Sequence, residues 1–307
     1  MVAILFSSNF QWVFVSTLLL GIAAGLIGCL AYWKKQSLMS DALSHAALPG
    51  VVLAFLLFRT KDLGVLIIGA SISALLGAFF IQVIQSTTRI KEDTAMGMIL
   101  AVFFGGGIVL LTIVNRSSGG NQAGLDQFIF GQAAAMVRSD VIFMSILAAF
   151  VISVILIGFK EWKLFLFDPN FAKGMNLSVR GMNIIYLLIL VLTIVIGIQA
   201  VGVILMAALL IIPPVSARYW THSFHTMMWL SGLFGGISGA IGTTLSAMGQ
   251  GWPTGPFIVL TSGTLFLISL FFGMKKGMFV ETIMLRKKKK KMVQELISSS
   301  LVKEGES

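Results

Sequence analysis

Apolar runs long enough to cross a membrane recur along the whole chain, and they restrict the fold more than any other feature. A spanning helix needs about 20 consecutive, mostly apolar residues. Runs of that kind fall near residues 11–33, 41–58, 64–86, 94–114, 141–159, 182–198, 200–217, 227–249 and 255–273. Hydrocarbon offers no partner to backbone N–H and C=O groups, so each run has to satisfy its own hydrogen bonds as a helix. The sequence therefore predicts an all-α fold, a polytopic transmembrane helical bundle of eight or nine spans. Nine is the favoured count; eight results if the sixth and seventh runs, which abut at Gly197-Ile-Gln-Ala-Val-Gly202, form one broken segment. The stretch Phe128–Val137 is too short to cross and reads as a re-entrant or interfacial piece.

Composition agrees. The chain is 57% hydrophobic and 11% charged, where soluble domains carry about 25% charged residues. Little mass is left outside the membrane: residues 1–285 read as the transmembrane domain and 286–307 as a basic, polar cytoplasmic tail. Cys29 is the only cysteine, which excludes a disulfide within the chain and any thiolate cluster. It reads as a small apolar residue of the first span. The N-terminus lacks the basic region that opens a signal peptide, so the first run is expected to be kept as a span. The 16 methionines are scattered without a ligand-like spacing. They read as packing and argue against a copper(I) carrier.

Lysine and arginine set the orientation, because cytoplasmic loops hold the excess of both. With nine spans and the N-terminus outside, all but Arg59, Lys61, Arg116 and Arg138 of the 22 basic residues fall on the cytoplasmic side. The C-terminus is then cytoplasmic. The net charge of +10 follows this topology and implies no nucleic-acid partner. The block Arg286–Lys291 reads as an anchor against anionic membrane lipid.

Against that apolar background two residues stand out. Of the 12 acidic residues, Asp41 alone lies clearly within an apolar run, and of the 3 histidines, His45 alone does. At i, i+4 they share one helix face. An ionised carboxylate at bilayer depth costs roughly 2–3 kcal/mol or more, so such residues mark function by default. Carboxylate oxygen plus imidazole nitrogen suits Mn²⁺, Fe²⁺ or Zn²⁺. Pro49 lies four residues after His45 and frees its carbonyl, which either adds a hard ligand or only shapes packing. Local readings stand beside these: Ser40-Asp41 could open the second helix with the carboxylate at the positive dipole end, and His45 could make an interhelical hydrogen bond. One Asp and one His are too few ligands for a transition metal, and no second intramembrane acid or histidine is present. Two copies about a twofold axis, or one copy and a related chain, would supply two of each.

Gln199 is a further intramembrane polar residue, flanked by Gly197 and Gly202. It reads as a helix–helix hydrogen bond or as a helix break lining a pathway. Between the fifth and sixth runs, Asp168 can cap a short helix begun by Pro169 and ended by Gly174. Such a helix at the membrane surface is a docking element for a soluble partner. The chain holds no phosphate loop and no hydrolase or metalloprotease motif. It is not expected to be an enzyme, nor to bind any cofactor permanently. Uphill transport would draw its energy from a separate subunit.

The segment Ser37-Leu-Met-Ser-Asp-Ala-Leu-Ser-His-Ala-Ala-Leu-Pro-Gly50 resembles the second-span hallmark of the manganese/zinc/iron ABC transporter permeases. Lys91–Gly97, Ile129–Gln132, Phe167–Ala172, Val201–Pro213 and Pro253–Leu260 resemble other recurring blocks of that family, and the likeness runs over about residues 10–275. Ser40 stands where that family commonly has Gly, and Pro214 where it commonly has Ala. The segment Gln122–Ala134 is similar to the manganese-type branch.

The resemblance implies a permease in a bacterial plasma membrane, paired with a second copy or a related permease. Two cytoplasmic ABC ATPase subunits would drive it, and an extracytoplasmic metal-binding protein would deliver Mn²⁺, or else Zn²⁺ or Fe²⁺. It implies that Asp41 and His45 are the metal pair. It also implies that Asp168, Pro169, Ala172 and Gly174 belong to the helix that couples to the ATPase. A permease for a siderophore or haem chelate, a carrier driven by an ion gradient and a non-transporting scaffold are the competing readings.

Overall fold

The computed structural model describes residues 8–60, 62–117, 136–249, 252–275 and 277–278, and every regular element among them is helical. In chain order these are α1 (Ser8–Trp33), α2 (Met39–Phe58), α3 (Leu63–Thr87), α4 (Glu92–Ser117), α5 (Arg138–Ile157) and α6 (Phe159–Phe167). They continue as α7 (Pro169–Gly174), α8 (Val179–Val201), α9 (Val203–Trp220), α10 (Phe224–Met248) and α11 (Thr254–Phe272). Seven of them, α1 to α5, α8 and α11, are long and apolar enough to cross a membrane. The expected seventh and eighth spans coincide with α9 and α10, which are helical along their length but are not among those seven. The expected re-entrant piece lies outside the described residues except for Met136 and Val137, and so does the basic tail.

Small residues decide which helices meet. Lipid tails are as apolar as leucine, so helices associate in a membrane through close packing and interhelical hydrogen bonds. A Cβ on Gly21 of α1 would strike the Gly235 carbonyl of α10; one on Gly25 would strike that of Ser231. From the other side, a Cβ on Gly239 would strike the Thr17 carbonyl. The two backbones therefore touch along most of their shared length. Thr17 and Thr243 join their hydroxyls across the same contact at 2.8 Å. Ser246 then donates to the Trp252 carbonyl at 2.7 Å and links α10 to the start of α11. The Pro213-Pro214 pair in α9 has a packing role here. Pro214 has no N–H for the Leu210 carbonyl, and that carbonyl faces Gly28 of α1 at a distance no side chain would permit.

A second group forms around α2, which packs on α3 and α4. Gly50 and Gly69 bring α2 and α3 into backbone contact. Ser73 Oγ donates to the Ala46 carbonyl at 2.7 Å. Gly107 of α4 lies over Leu48 and Pro49, where an added Cβ would sit 3.0 and 3.2 Å from their side chains. The consecutive helices α1 and α2 share almost no contact with each other, whereas α9 of the first group packs on α2 and α8 touches both groups. Residues 34–38 join the groups. Lys35 takes the left-handed conformation (φ 61°) after α1. Gln36 N–H bonds the Ala31 carbonyl and Lys35 N–H that of Tyr32, the paired bonds of a Schellman cap. Met39 N–H then bonds the Gln36 carbonyl and α2 begins.

The sixth and seventh runs are two helices, parted at Gly202 (φ 95°, ψ 160°). That conformation is essentially open only to glycine. The break therefore falls three residues after Gln199, which stays in the last turn of α8. The fifth run ends at Ile157, and beyond Gly158 the chain forms the separate amphipathic helix α6, with Trp162 buried and Lys160 and Lys163 exposed. Gly202→Ala should cost about 1–3 kcal/mol for the forced backbone. Thermal unfolding of the detergent-purified protein should show a clear drop in midpoint, and an unchanged midpoint would mean that the α8–α9 reversal does not depend on glycine at this position.

Candidate functional site

Asp41 sits in the first turn of α2 and His45 one turn deeper. At 1.5 Å per residue they lie about 3 and 9 Å into the helix. Helix α2 begins at Met39, two residues before the expected run from 41, so Asp41 lies inside the first turn rather than at the start of the helix. Its side chain is 38% exposed against 14% for His45, and His45 Nε2 stands 3.5 Å from Asp41 Oδ1. The carboxylate also faces the positive end of the α2 dipole, so the local and the functional reading of Asp41 coexist. The opening role foreseen for Ser40 is absent: Leu38 caps α2 without a side-chain bond, and Ser40 Oγ returns to the Ser37 carbonyl.

His45 makes no interhelical hydrogen bond among the described residues. Its Nδ1 is buried without a partner, a cost that a core histidine normally avoids. The ring is held instead by Phe104 of α4, edge to face at 4.7 Å. Pro49 is inside α2 and withholds its N–H from the His45 carbonyl. One chain therefore presents a carboxylate, an imidazole with a spare nitrogen and an under-bonded carbonyl within one helical turn. No group of three or more His, Cys, Asp or Glu residues suited to a metal occurs among the described residues. Gln199 is half-buried, with Oε1 unpartnered.

Some 130 residues later in sequence, the short helix expected after Asp168 is present as α7. Asp168 Oδ1 accepts from Phe171 N–H at 2.9 Å, and Pro169 is the first helical residue. Ala172 is buried, while Phe171 and Met175, one turn apart, are exposed. Gly174 is the last helical residue, but the left-handed position falls on Asn176 (φ 62°). Leu177 N–H to the Ala172 carbonyl and Asn176 N–H to that of Lys173 complete a second Schellman cap.

The two regions meet through aromatic rings that motif spacing did not reveal. Phe167, next to the α7 cap, lies 4.8 Å from Trp33 at the end of α1, and both pack on Phe224 of α10. Arg218 of α9 lies over the Trp33 ring at 5.1 Å. The turn after Trp33 is gripped as well. Lys34 Nζ donates to Asn183 of α8 and lies over the Tyr186 and Phe165 rings. Gln36 donates to Glu92 of α4. Only the position of Phe167 beside Asp168 could have drawn attention to this cluster in the sequence.

Burial lowers the Lys34 amine to about 8, with the Glu92 carboxylate pulling it back up. Unfolded lysine holds its proton to about 10.4. Between those values the unfolded chain binds more protons, so stability rises as pH goes from about 8 to 10. The Lys34→Met variant should lack that rise; parallel pH profiles of thermal unfolding in both proteins would refute it.

The ABC 3 transport family matches residues 7–273 of the chain. The manganese transport system membrane protein MntC of Bacillus subtilis is 43% identical over 97% of this chain and 68% of its own length. The zinc transport system membrane protein TroC of Treponema pallidum is 40% identical, covering 93% of this chain and 95% of that protein. The structure is similar to a chain of PsaBC from Streptococcus pneumoniae in complex with Fab, with a TM-score of 0.78 and 32% identity over 90% of this chain and 98% of that one. The protein is a multi-pass membrane protein, and it belongs to the ABC 3 transport family.

Proposed function

We propose that the chain is the membrane-spanning permease subunit of an ATP-driven importer for a divalent transition metal in a bacterial plasma membrane, with Mn²⁺ favoured over Zn²⁺ and Fe²⁺. The single observation that carries this reading is the Asp41–His45 pair at 3.5 Å in a member of this family. The manganese system named for the B. subtilis relative favours Mn²⁺, and an oxygen-plus-imidazole donor set binds it without thiolate. Orientation follows the basic residues. The end that carries Lys34, Lys35, Arg89, Lys91, Lys173, Arg180 and Arg218 faces the cytoplasm, with nine spans and the N-terminus outside.

Metal released by an extracytoplasmic binding protein meets Asp41 and His45 between two permease copies. Each copy contributes one carboxylate and one imidazole, which completes a shell that neither has alone. The exposure of Asp41 leaves it reachable from a neighbouring subunit. The metal is cargo, so its ligands have to let go; an exposed carboxylate in a first helical turn is easily moved. Helix α7 docks on a cytoplasmic ABC ATPase through Phe171 and Met175, and its displacement passes from Phe167 to Trp33 and through residues 34–38 to the first turn of α2. Hydrolysis takes place on the other subunit; this chain supplies path, ligands and lever.

In proteoliposomes holding the permease, its ATPase and its binding protein, Asp41→Ala and His45→Ala should each lower radiolabelled manganese uptake by about 10–100-fold or more, the range in which metal sites respond to lost partners. ATP hydrolysis should persist. Normal uptake by both variants would remove the metal path from this pair. Trp33→Ala should leave the complex assembled and hydrolysing ATP while transport falls several-fold; hydrolysis and transport falling together would place Trp33 in assembly rather than coupling.

A further inference from the structure

A pocket of about 530 Å³ opens between the end of α3 and the start of α8, beside residues 36–39. Its size is that of a small-molecule site, and neither the metal path nor α7 uses it. Its lining changes character with depth. Ser86 and Arg180 line it one residue from the ends of their helices, together with Gln36 and Gln85. Phe79 and Leu187 line it seven residues further in along α3 and α8, or about 10 Å deeper. The headgroup layer of one leaflet is only about 5–8 Å thick. The pocket thus runs from headgroup level into the acyl region, polar above and apolar below.

Its polar groups are unsatisfied in a complementary way. Gln85 Nε2 is buried without an acceptor. Arg180 is exposed and meets no carboxylate among the described residues. Gln36 spends its amide nitrogen on Glu92, which leaves its buried Oε1 without a donor. Two free donors, one of them cationic, lie around the same cavity as one free acceptor. A phosphate diester fits the donors and a hydroxyl fits the acceptor. Phe79, itself 57% exposed, offers apolar surface for a chain below.

We propose that this pocket binds one anionic glycerophospholipid with a hydroxylated headgroup. The phosphate meets Arg180 and Gln85, the hydroxyl donates to Gln36, and the first acyl carbons lie along Phe79 and Leu187. Free phosphate shares the headgroup chemistry but has no use for the apolar depth. The inference rests only on the protein's place in a membrane, so it stands or falls apart from the metal reading.

Native mass spectrometry of the full-length protein in detergent tests it, with phosphatidylglycerol, phosphatidylcholine and inorganic phosphate as the probes. Wild type should retain one phosphatidylglycerol per chain, about fivefold or more in preference to phosphatidylcholine, as one arginine at headgroup level gives. Arg180→Gln should lose that preference. Val83→Trp, which fills the pocket without touching a charge, should lose bound lipid altogether, provided its thermal unfolding matches wild type. Lys91→Gln, a basic change at the same end but outside the lining, should bind as wild type does. Equal retention of the two lipids, or wild-type binding by Arg180→Gln, would overturn the proposal. Displacement of phosphatidylglycerol by excess inorganic phosphate would overturn it too, by making the pocket a free-phosphate site.

Discussion

Helices α1 and α10 lie backbone against backbone, and the rest of the bundle takes its position from that contact. Burial cannot drive helices together in lipid, so close approach has to do it, and approach is limited by the largest atom between the axes. Removing every Cβ at Gly21, Gly25, Gly235 and Gly239 lets carbonyl oxygens rest against α-carbons, where weak C–H···O contacts add to dispersion. Once α10 is set, Ser246 and Thr254 place α11 beside it. The Leu210 carbonyl, freed by Pro214, places α9 on α1 at Gly28. The end of α1 is thereby held at Trp33, among rings from α6 and α10 and the Arg218 guanidinium of α9.

The proposed transport cycle uses what this arrangement leaves loose. Asp41 and His45 belong to the other group of helices, which has its own contacts at Gly50, Gly69 and Ser73. A site on one side of a division and a docking helix on the other is a workable layout for alternating access, since discrete packed groups shift as units. The pocket beside Gln36 lies at the same division. Occupancy there would bear on how freely the groups part.

Much of this was legible in the sequence, for a physical reason. A membrane turns each span into an uninterrupted apolar run, and any ionisable residue inside it becomes conspicuous; Asp41 and His45 needed no more than that. The cap of α7 was equally plain from Asp168-Pro169. Gly202 was harder to find, because Gly197 and Gln199 nearby offered equally good reasons to break a helix and only the backbone angles choose between them. Helix α6 was missed because its apolar face continues the preceding run. The exposure of Asp41 depended on where a five-residue turn closes, and that is set by Lys35 in a left-handed conformation that lysine seldom takes. The aromatic cluster joins residues nearly 200 positions apart, beyond the reach of any local pattern.

Residues 34–38 also set a limit on travel. Fully drawn out, the path from Trp33 to Met39 covers about 20 Å. Reaching that would mean undoing the Schellman bonds at Lys35 and Gln36 together with the Gln36–Glu92 and Lys34–Asn183 bonds. Short excursions that keep these bonds are cheap; longer ones have to break them in sequence. The linkage therefore behaves as a stop as well as a joint, with a stroke graded by hydrogen bonds rather than by the length of the chain.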